Sequence, residues 1–349
     1  MTKKAMSYEK RKKIILGVTI PLAVILLFVL LCFSTYIPRV NGTDYASAVV
    51  QANPIIQEKT LVSAHRAGRT LAPENTMAAF EKCFESMYAE EDPYSVDILE
   101  FDLHLTGDAE NKKLVLLHDD TLDRTSDCVA VHGEKDVKPI NKTFAQLQEY
   151  NMGYNFQDPQ TGEYIYRKEG ADLSSVHIVD LETVLTYVQS QEAALGKKIG
   201  YIIEIKDGGE HGYEAAELLK KIMKEYGILE YTVIGTFHGE VSKYLDEKCP
   251  EITRSAGIAE VLSFYFSYMF NIPLTNVNYK VLQIPYKDFG LNFGKKGMVD
   301  YAHKYGIAVQ YWTINKKEDI EHLSKIGADA IMSDNPKLCY DVVEDVFKK

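Results

Sequence analysis

The sequence predicts an α/β fold: an eight-stranded parallel barrel of the TIM, (β/α)8, type with a small insertion, preceded by one transmembrane helix. Three observations predict it. Short β-rich runs alternate with helical patterns along most of the chain, and such alternation builds a parallel sheet with helices packed outside it. About 310 residues follow an amino-terminal apolar segment, enough for one large core and within the range of a single barrel. Histidines and carboxylates recur at the ends of the apolar runs, an arrangement that is costly unless these groups converge.

The chain opens on a basic head, residues 1–13, which holds Lys3, Lys4, Lys10, Arg11, Lys12 and Lys13. An uncharged stretch, 14–36, comes next and approaches the ~20 residues that span a bilayer. A cleaved secretory signal is the rival reading. Its apolar region usually runs only ~7–15 residues and ends in small residues, and Leu31-Cys32-Phe33 offers no such site. Lys and Arg gather before the span, so the amino terminus is expected in the cytoplasm and everything after Arg39 outside, at the cell membrane. Residues 37–58 read as a tether and 59–349 as the barrel.

Within the barrel, strands are expected at 61–64, 98–105, 114–117, 200–205, 232–236, 253–256, 281–285, 308–313 and 329–332. Helices are expected near 75–88, 180–195, 213–226, 239–248, 295–305 and 317–326. Nine strand candidates for eight places leave one peripheral. The connection 106–113 is too short for a helical crossover, so the strands around it are expected to pair antiparallel. From about 121 to 178 the rhythm breaks into turn-forming and polar residues, with one helical patch near 143–150. That stretch reads as the insertion, or a long lid beside the barrel mouth.

The formal net charge is −11, and setting aside residues 1–36, with six Lys/Arg and one Glu, leaves −16 for the remainder. Such a surface repels nucleic-acid phosphates and anionic lipid, so nucleic acid is not an expected partner and phosphate capture must be local to a pocket. Cys83, Cys128, Cys249 and Cys339 are scattered, without the spacing of a zinc site or a disulfide framework.

In a barrel of this type, catalytic groups sit at the carboxyl ends of the strands. His65, Glu100, Asp102, His118 and Glu204 all fall late in their expected strands. Side chains two apart on a strand share a face, so Glu100 with Asp102, and Glu204 with Lys206, can point inward together. Carboxylate oxygens suit one divalent cation, calcium, magnesium or manganese, rather than zinc. Such a cation would draw in a phosphate, Arg66 and Lys206 would neutralise its other oxygens, and His65 and His118 would supply a base and an acid near neutral pH. Glu74 and Asn75 either cap the helix that begins there or support His65 or Arg66. Asp119 reads as a turn or hydrogen-bonding residue.

These residues carry a family resemblance. His65-Arg66-Ala67-Gly68, Pro73-Glu74-Asn75-Thr76, Glu100-Phe101-Asp102, His118-Asp119 with Arg124-Thr125, Glu204-Ile205-Lys206, Trp312-Thr313 and Ser333-Asp334-Asn335-Pro336 stand in order over nearly the whole segment after the tether. The set resembles the motifs of glycerophosphodiester phosphodiesterases, in the manner of a membrane-anchored bacterial member. The resemblance implies a barrel with a small insertion after the second histidine, a divalent cation held by Glu100, Asp102 and Glu204, and acid–base work by His65 and His118. It also implies phosphate contacts from Arg66 and Lys206, and Trp312 in the pocket wall. Two departures bear on the pocket rim: His-Arg-Ala-Gly replaces the usual His-Arg-Gly, and Val179-Asp180-Leu181 lacks the usual proline.

The expected reaction is therefore hydrolysis of a glycerophosphodiester to a glycerol phosphate and an alcohol. The alternatives are a lysophospholipase D-type or teichoic-acid-type substrate, and a barrel that binds headgroups without turnover. An aromatic run at 261–279, including Phe264-Tyr265-Phe266 and Tyr268-Met269-Phe270, reads either as a helix buried against the sheet or as a surface that touches lipid and favours acyl-bearing substrates.

Overall fold

A computed structural model describes residues 53–348 apart from Asn276 and Phe289. The basic head, the expected membrane segment at 14–36 and most of the expected tether lie outside these residues. Among the described residues no helix is long and apolar enough to cross a membrane.

The architecture is the parallel barrel with helices outside. Seven parallel strands form its wall: β1 (Leu61–Ala64), β2 (Ile98–Leu105), β4 (Gly200–Ile205), β5 (Thr232–Gly235), β6 (Val281–Pro285), β9 (Ala308–Trp312) and β10 (Ala330–Ser333). They run in the order β5-β4-β2-β1-β10-β9-β6. The eighth stave is the segment at Arg254 and Ser255. It makes parallel bridges to Ile234 and Val281 and so nearly closes the sheet on itself. The Ile234 amide donates to the Thr253 carbonyl and the Ala256 amide to the Val281 carbonyl. The sequence counted 253–256 as a strand; only these isolated bridges form there.

The surplus candidate is β3 (Leu114–Leu116), which leaves the wall and pairs antiparallel with β2. An eight-residue link cannot carry a helix back across the sheet. A small hairpin, β7 (Lys287–Asp288) with β8 (Leu291–Asn292), adds to the rim.

Both faces of the wall are covered, so β2 is buried over all eight residues; Leu99, Phe101, Leu103 and Leu105 make one face apolar throughout, while Glu100, Asp102 and His104 follow Ile98 on the other. The outer face packs Leu99, Phe101, Leu103, Tyr201, Ile203 and Ile205 against helices. Those helices are α1 (Met77–Tyr88), α3 (Leu181–Leu195), α4 (Gly209–Glu225), α5 (Gly239–Lys248), α6 (Ile258–Phe270), α7 (Lys296–Lys304), α8 (Lys317–Lys325) and α9 (Pro336–Phe347). The short α2 (Phe144–Leu147) belongs to the insertion, which has its own small core around Leu122, Leu147 and Tyr150. Local capping explains several boundaries. Asp180 accepts from the Thr183 amide to start α3, and Gly196, at φ +64°, ends it in the left-handed conformation. Asn335 accepts from the Leu338 amide, with Pro336 at the first helical position of α9.

Inside the barrel, Ile98, Ile202, Val233, Val281, Ala308, Ala330 and Met332 fill the lower layers. Ile55 and Ile56 pack against this cluster, so the carboxyl end of the expected tether belongs to the barrel floor. The Asn53 side chain donates to the carbonyls of Lys280 and Gly306 beside the starts of β6 and β9. The four cysteines among the described residues are free and buried.

Candidate active site

The register of the wall decides which side chains share the mouth. Ser63 pairs with Ile98 across β1 and β2, and Asp102 pairs with Glu204 across β2 and β4. Partners in a parallel ladder point the same way, so Ile98, Glu100 and Asp102 alternate inward up β2 while Ile202 and Glu204 do so up β4. The lower positions are apolar and the upper ones acidic. His65, Arg66, Glu100, Asp102, His118 and Glu204 thus line one cavity of about 400 Å³. Phe237, Phe293 and Trp312 line the same cavity, and the Phe237 and Trp312 rings meet edge to face at 6.2 Å.

His65 follows β1 directly. The chain turns there through Arg66, Ala67 and Gly68, all with positive φ, the sharp turn that the four-residue motif accommodates. A Cβ on Gly68 would stand 2.9 Å from Leu71 Cδ1, so only glycine fits without displacement. The turn delivers the Arg66 amide to Glu100 Oε2 at 2.6 Å.

His65 Nδ1 lies 2.6 Å from Asp334 Oδ1, and Asn315 Nδ2 donates to the other oxygen of Asp334. Burial alone would raise the Asp334 carboxyl; the hydrogen bond and charge of His65, with the Asn315 hydrogen bond and the charge of Arg69, together outweigh it and hold the group below its ordinary value. An ionised carboxylate only accepts, so Nδ1 carries the hydrogen and Nε2, 3.9 Å from Glu100 Oε2, is left for the cavity. His118 repeats the pattern, with Nδ1 2.7 Å from Asp119 Oδ1, and Arg124 donates to both oxygens of Asp119.

The carboxylates are short of positive charge. Burial, then the negative charge of Asp102, raises Glu100 well above its ordinary value, and burial with Asp102 also raises Glu204. Lys206 Nζ stands 3.0 Å from Asp102 Oδ1 and 2.9 Å from Glu204 Oε1. Burial works against that ammonium, and the two carboxylates outweigh it and raise it. Lys206, expected at the phosphate, pairs with Asp102 and Glu204 and is not among the residues that line the cavity. As placed, no three His, Cys, Asp or Glu side chains among the described residues are gathered around one ion position. The donor chemistry nonetheless fits a hard divalent cation: three inward carboxylates with one ammonium among them, and a buried Asn75 Oδ1 that has no partner.

Of the two roles considered for Glu74 and Asn75, neither side chain caps α1, whose N-cap is Thr76 without a side-chain bond, and only Glu74 supports Arg66. Glu74 binds Arg66 Nη1 at 2.9 Å and both terminal nitrogens of Arg124. Burial would raise its carboxyl, but the Arg124 hydrogen bonds and the charges of Arg66, Arg124 and Arg69 hold it at about 2. Asn75 Nδ2 donates to Asp102 Oδ2 at 3.0 Å rather than to His65 or Arg66. Three further residues were not assigned from sequence: Asp334, Asn315 and Arg124. Asp334 and Arg124 stand inside the quoted motifs, which is the one signal that pointed to them; Asn315 had none.

Residues 65–338 match the profile of the glycerophosphoryl diester phosphodiesterase family. A glycerophosphodiester phosphodiesterase of Caldanaerobacter subterraneus is 27% identical over 289 residues, covering 82% of this chain and 98% of that protein. A human lysophospholipase D is 23% identical and covers 79% of this chain and 82% of its own length. The fold is shared with an Oleispira antarctica phosphodiesterase solved with its product sn-glycerol-3-phosphate, at a TM-score of 0.59 and 19% identity, covering 82% of this chain and 97% of that one.

Proposed function

The chain belongs to the glycerophosphoryl diester phosphodiesterase family and is a phosphoric diester hydrolase of that class; from this premise we propose that it cleaves glycerophosphodiesters to a glycerol phosphate and an alcohol. The observation that carries the proposal is the convergence of His65 and His118 on one cavity with Glu100, Asp102, Glu204 and Arg66. In this reading the Arg66 guanidinium, which Glu74 holds, faces the phosphate. One imidazole takes the proton of the attacking oxygen as its bond to phosphorus forms. The other donates a proton to the alcohol oxygen as its bond to phosphorus breaks. Asp334 and Asp119 hold the two rings in the tautomer that leaves Nε2 free for this work. Glu100, Asp102 and Glu204 would hold a divalent cation, whose chemistry is to offset charge on the phosphoryl oxygens. The attacking oxygen is water or the neighbouring glycerol hydroxyl, and a substrate without that hydroxyl separates the two.

A second substrate reading, the lysophospholipid, has its own support: the apolar wall of Phe237, Ile258, Leu262 and Trp312, and the similarity to a lysophospholipase D. The proposal also keeps the barrel outside the cell, held by a membrane segment at 14–36, on the strength of the basic residues before it. The test is product analysis of the purified protein with glycerophosphodiesters, lysophospholipids and glycerophosphate polymers. Release of glycerol phosphate from the diesters supports the reading. Binding of all three without turnover replaces it with the headgroup-binding barrel.

A further inference from the structure

Five of the twelve exposed large apolar side chains among the described residues fall within 15 consecutive positions, so they form one patch rather than scatter. They are Ile258, Leu262, Phe266 and Phe270, one per turn of α6, and Ile272 just beyond it. Each is between 45% and 57% exposed, and the Phe266 and Phe270 rings lie 4.6 Å apart. The opposite face is spent on packing: Phe264 and Tyr268 meet Tyr301 of α7 edge to face. The one charged residue of α6, Glu260, is bound by Arg254. A continuous apolar stripe of this kind marks a surface that meets something other than water.

The position of the stripe says what it meets. At its upper end Ile258 and Leu262 are also part of the cavity wall beside Trp312. From there α6 descends about 20 Å along the barrel, at 1.5 Å per residue. Its lower end leads into β6, and the carbonyl of Lys280, just before β6, accepts from Asn53. The stripe therefore joins the cavity mouth to the place where the preceding chain attaches, and that chain carries the uncharged stretch 14–36 only sixteen residues upstream. Those sixteen residues reach at most about 55 Å, enough, on the proposed reading of 14–36 as a membrane segment, to lay the barrel on that bilayer.

We infer that the exposed face of α6 docks on the surface of a lipid bilayer, so that the barrel lies on its side with the cavity mouth at the lipid–water boundary. The lipid is zwitterionic: the segment after residue 36 carries a formal charge of −16, which anionic headgroups repel, and the stripe offers only apolar contact. The docking is independent of the reaction assigned to the cavity and is tested without it.

The experiment uses the full chain with Cys32→Ala, whose remaining cysteines are buried. A single thiol is introduced as Phe266→Cys, or as Val131→Cys on the insertion, which follows β3 on the far side of the ring from α6. Each variant carries an environment-sensitive fluorophore and is reconstituted into phosphatidylcholine vesicles with or without doxyl-labelled phosphatidylcholine. The expected result is at least two-fold quenching at position 266 and none at 131, with loss of the quenching when Phe270→Asp is added. Equal quenching at both positions, or none at either, overturns the proposal. A blue shift at 266 that follows protein concentration and ignores spin-labelled lipid assigns the stripe to a second copy of the chain and also overturns it.

Discussion

His65 and Asp334 meet at 2.6 Å although 269 residues separate them, because β1 and β10 are neighbours in the wall and both chains leave it at the same rim. The pairing makes Asp334 a positioning residue for an imidazole in the cavity. Asp334→Asn is expected to lower kcat by about 10–100-fold with little change in KM, as loss of an orienting partner does elsewhere. Steady-state kinetics check it; an unchanged kcat would show that His65 needs no such support.

The two imidazoles are expected to contribute separately. His65→Ala and His118→Ala should each lower turnover by roughly 10²–10⁴-fold, with a smaller effect on substrate binding. Wild-type turnover by both variants would remove the acid–base assignment.

Glu74 predicts how the fold responds to acid. Its folded-state pKa of about 2 lies below the ordinary 4.5, so its contribution is fully present above about pH 5 and is lost as pH falls toward 2. The contribution is on the order of 3 kcal/mol, from about 1.4 kcal/mol per pKa unit. The Tm gap between wild type and Glu74→Gln should therefore be constant from pH 7 to 5.5 and narrow below that. A gap that does not change with pH would mean the arginines around Glu74 contribute no charge-linked stability.

Orientation is checked on intact cells. Added protease is expected to digest the barrel and spare only the basic head, since Lys and Arg cluster before residues 14–36 and not after them. Full protection of the barrel would place it inside. Recovery of a soluble form starting near Ser34 would identify residues 1–33 as a cleaved signal.

Much of the barrel was legible because strand and helix periods alternate and the strands are short, buried and β-branched. The boundaries of β1, β2, β4, β6 and α5 match the sequence expectation. The antiparallel β3 was legible from a link too short to hold a helix. The α9 helix was missed, although Asn335-Pro336 is a cap followed by a favoured first residue. The 261–279 run shows where pattern fails. A helix apolar all round does not say which face is covered, and the answer came from Tyr301 on another element. The site divides in the same way. Carboxylates two apart on one strand announce a shared face, whereas His65–Asp334 and Glu74–Arg124 depend on which loops meet at the rim.

The central claim, metal-assisted phosphodiester hydrolysis in this cavity, is tested most directly by following the phosphorus NMR signal of glycerophosphocholine with purified protein. The diester signal should persist in excess chelator and turn to the monoester of glycerol phosphate when calcium, magnesium or manganese is restored, while Glu204→Gln and Asp102→Asn remain folded and silent with every ion. Conversion at full rate in chelator, or by both variants, would contradict the account.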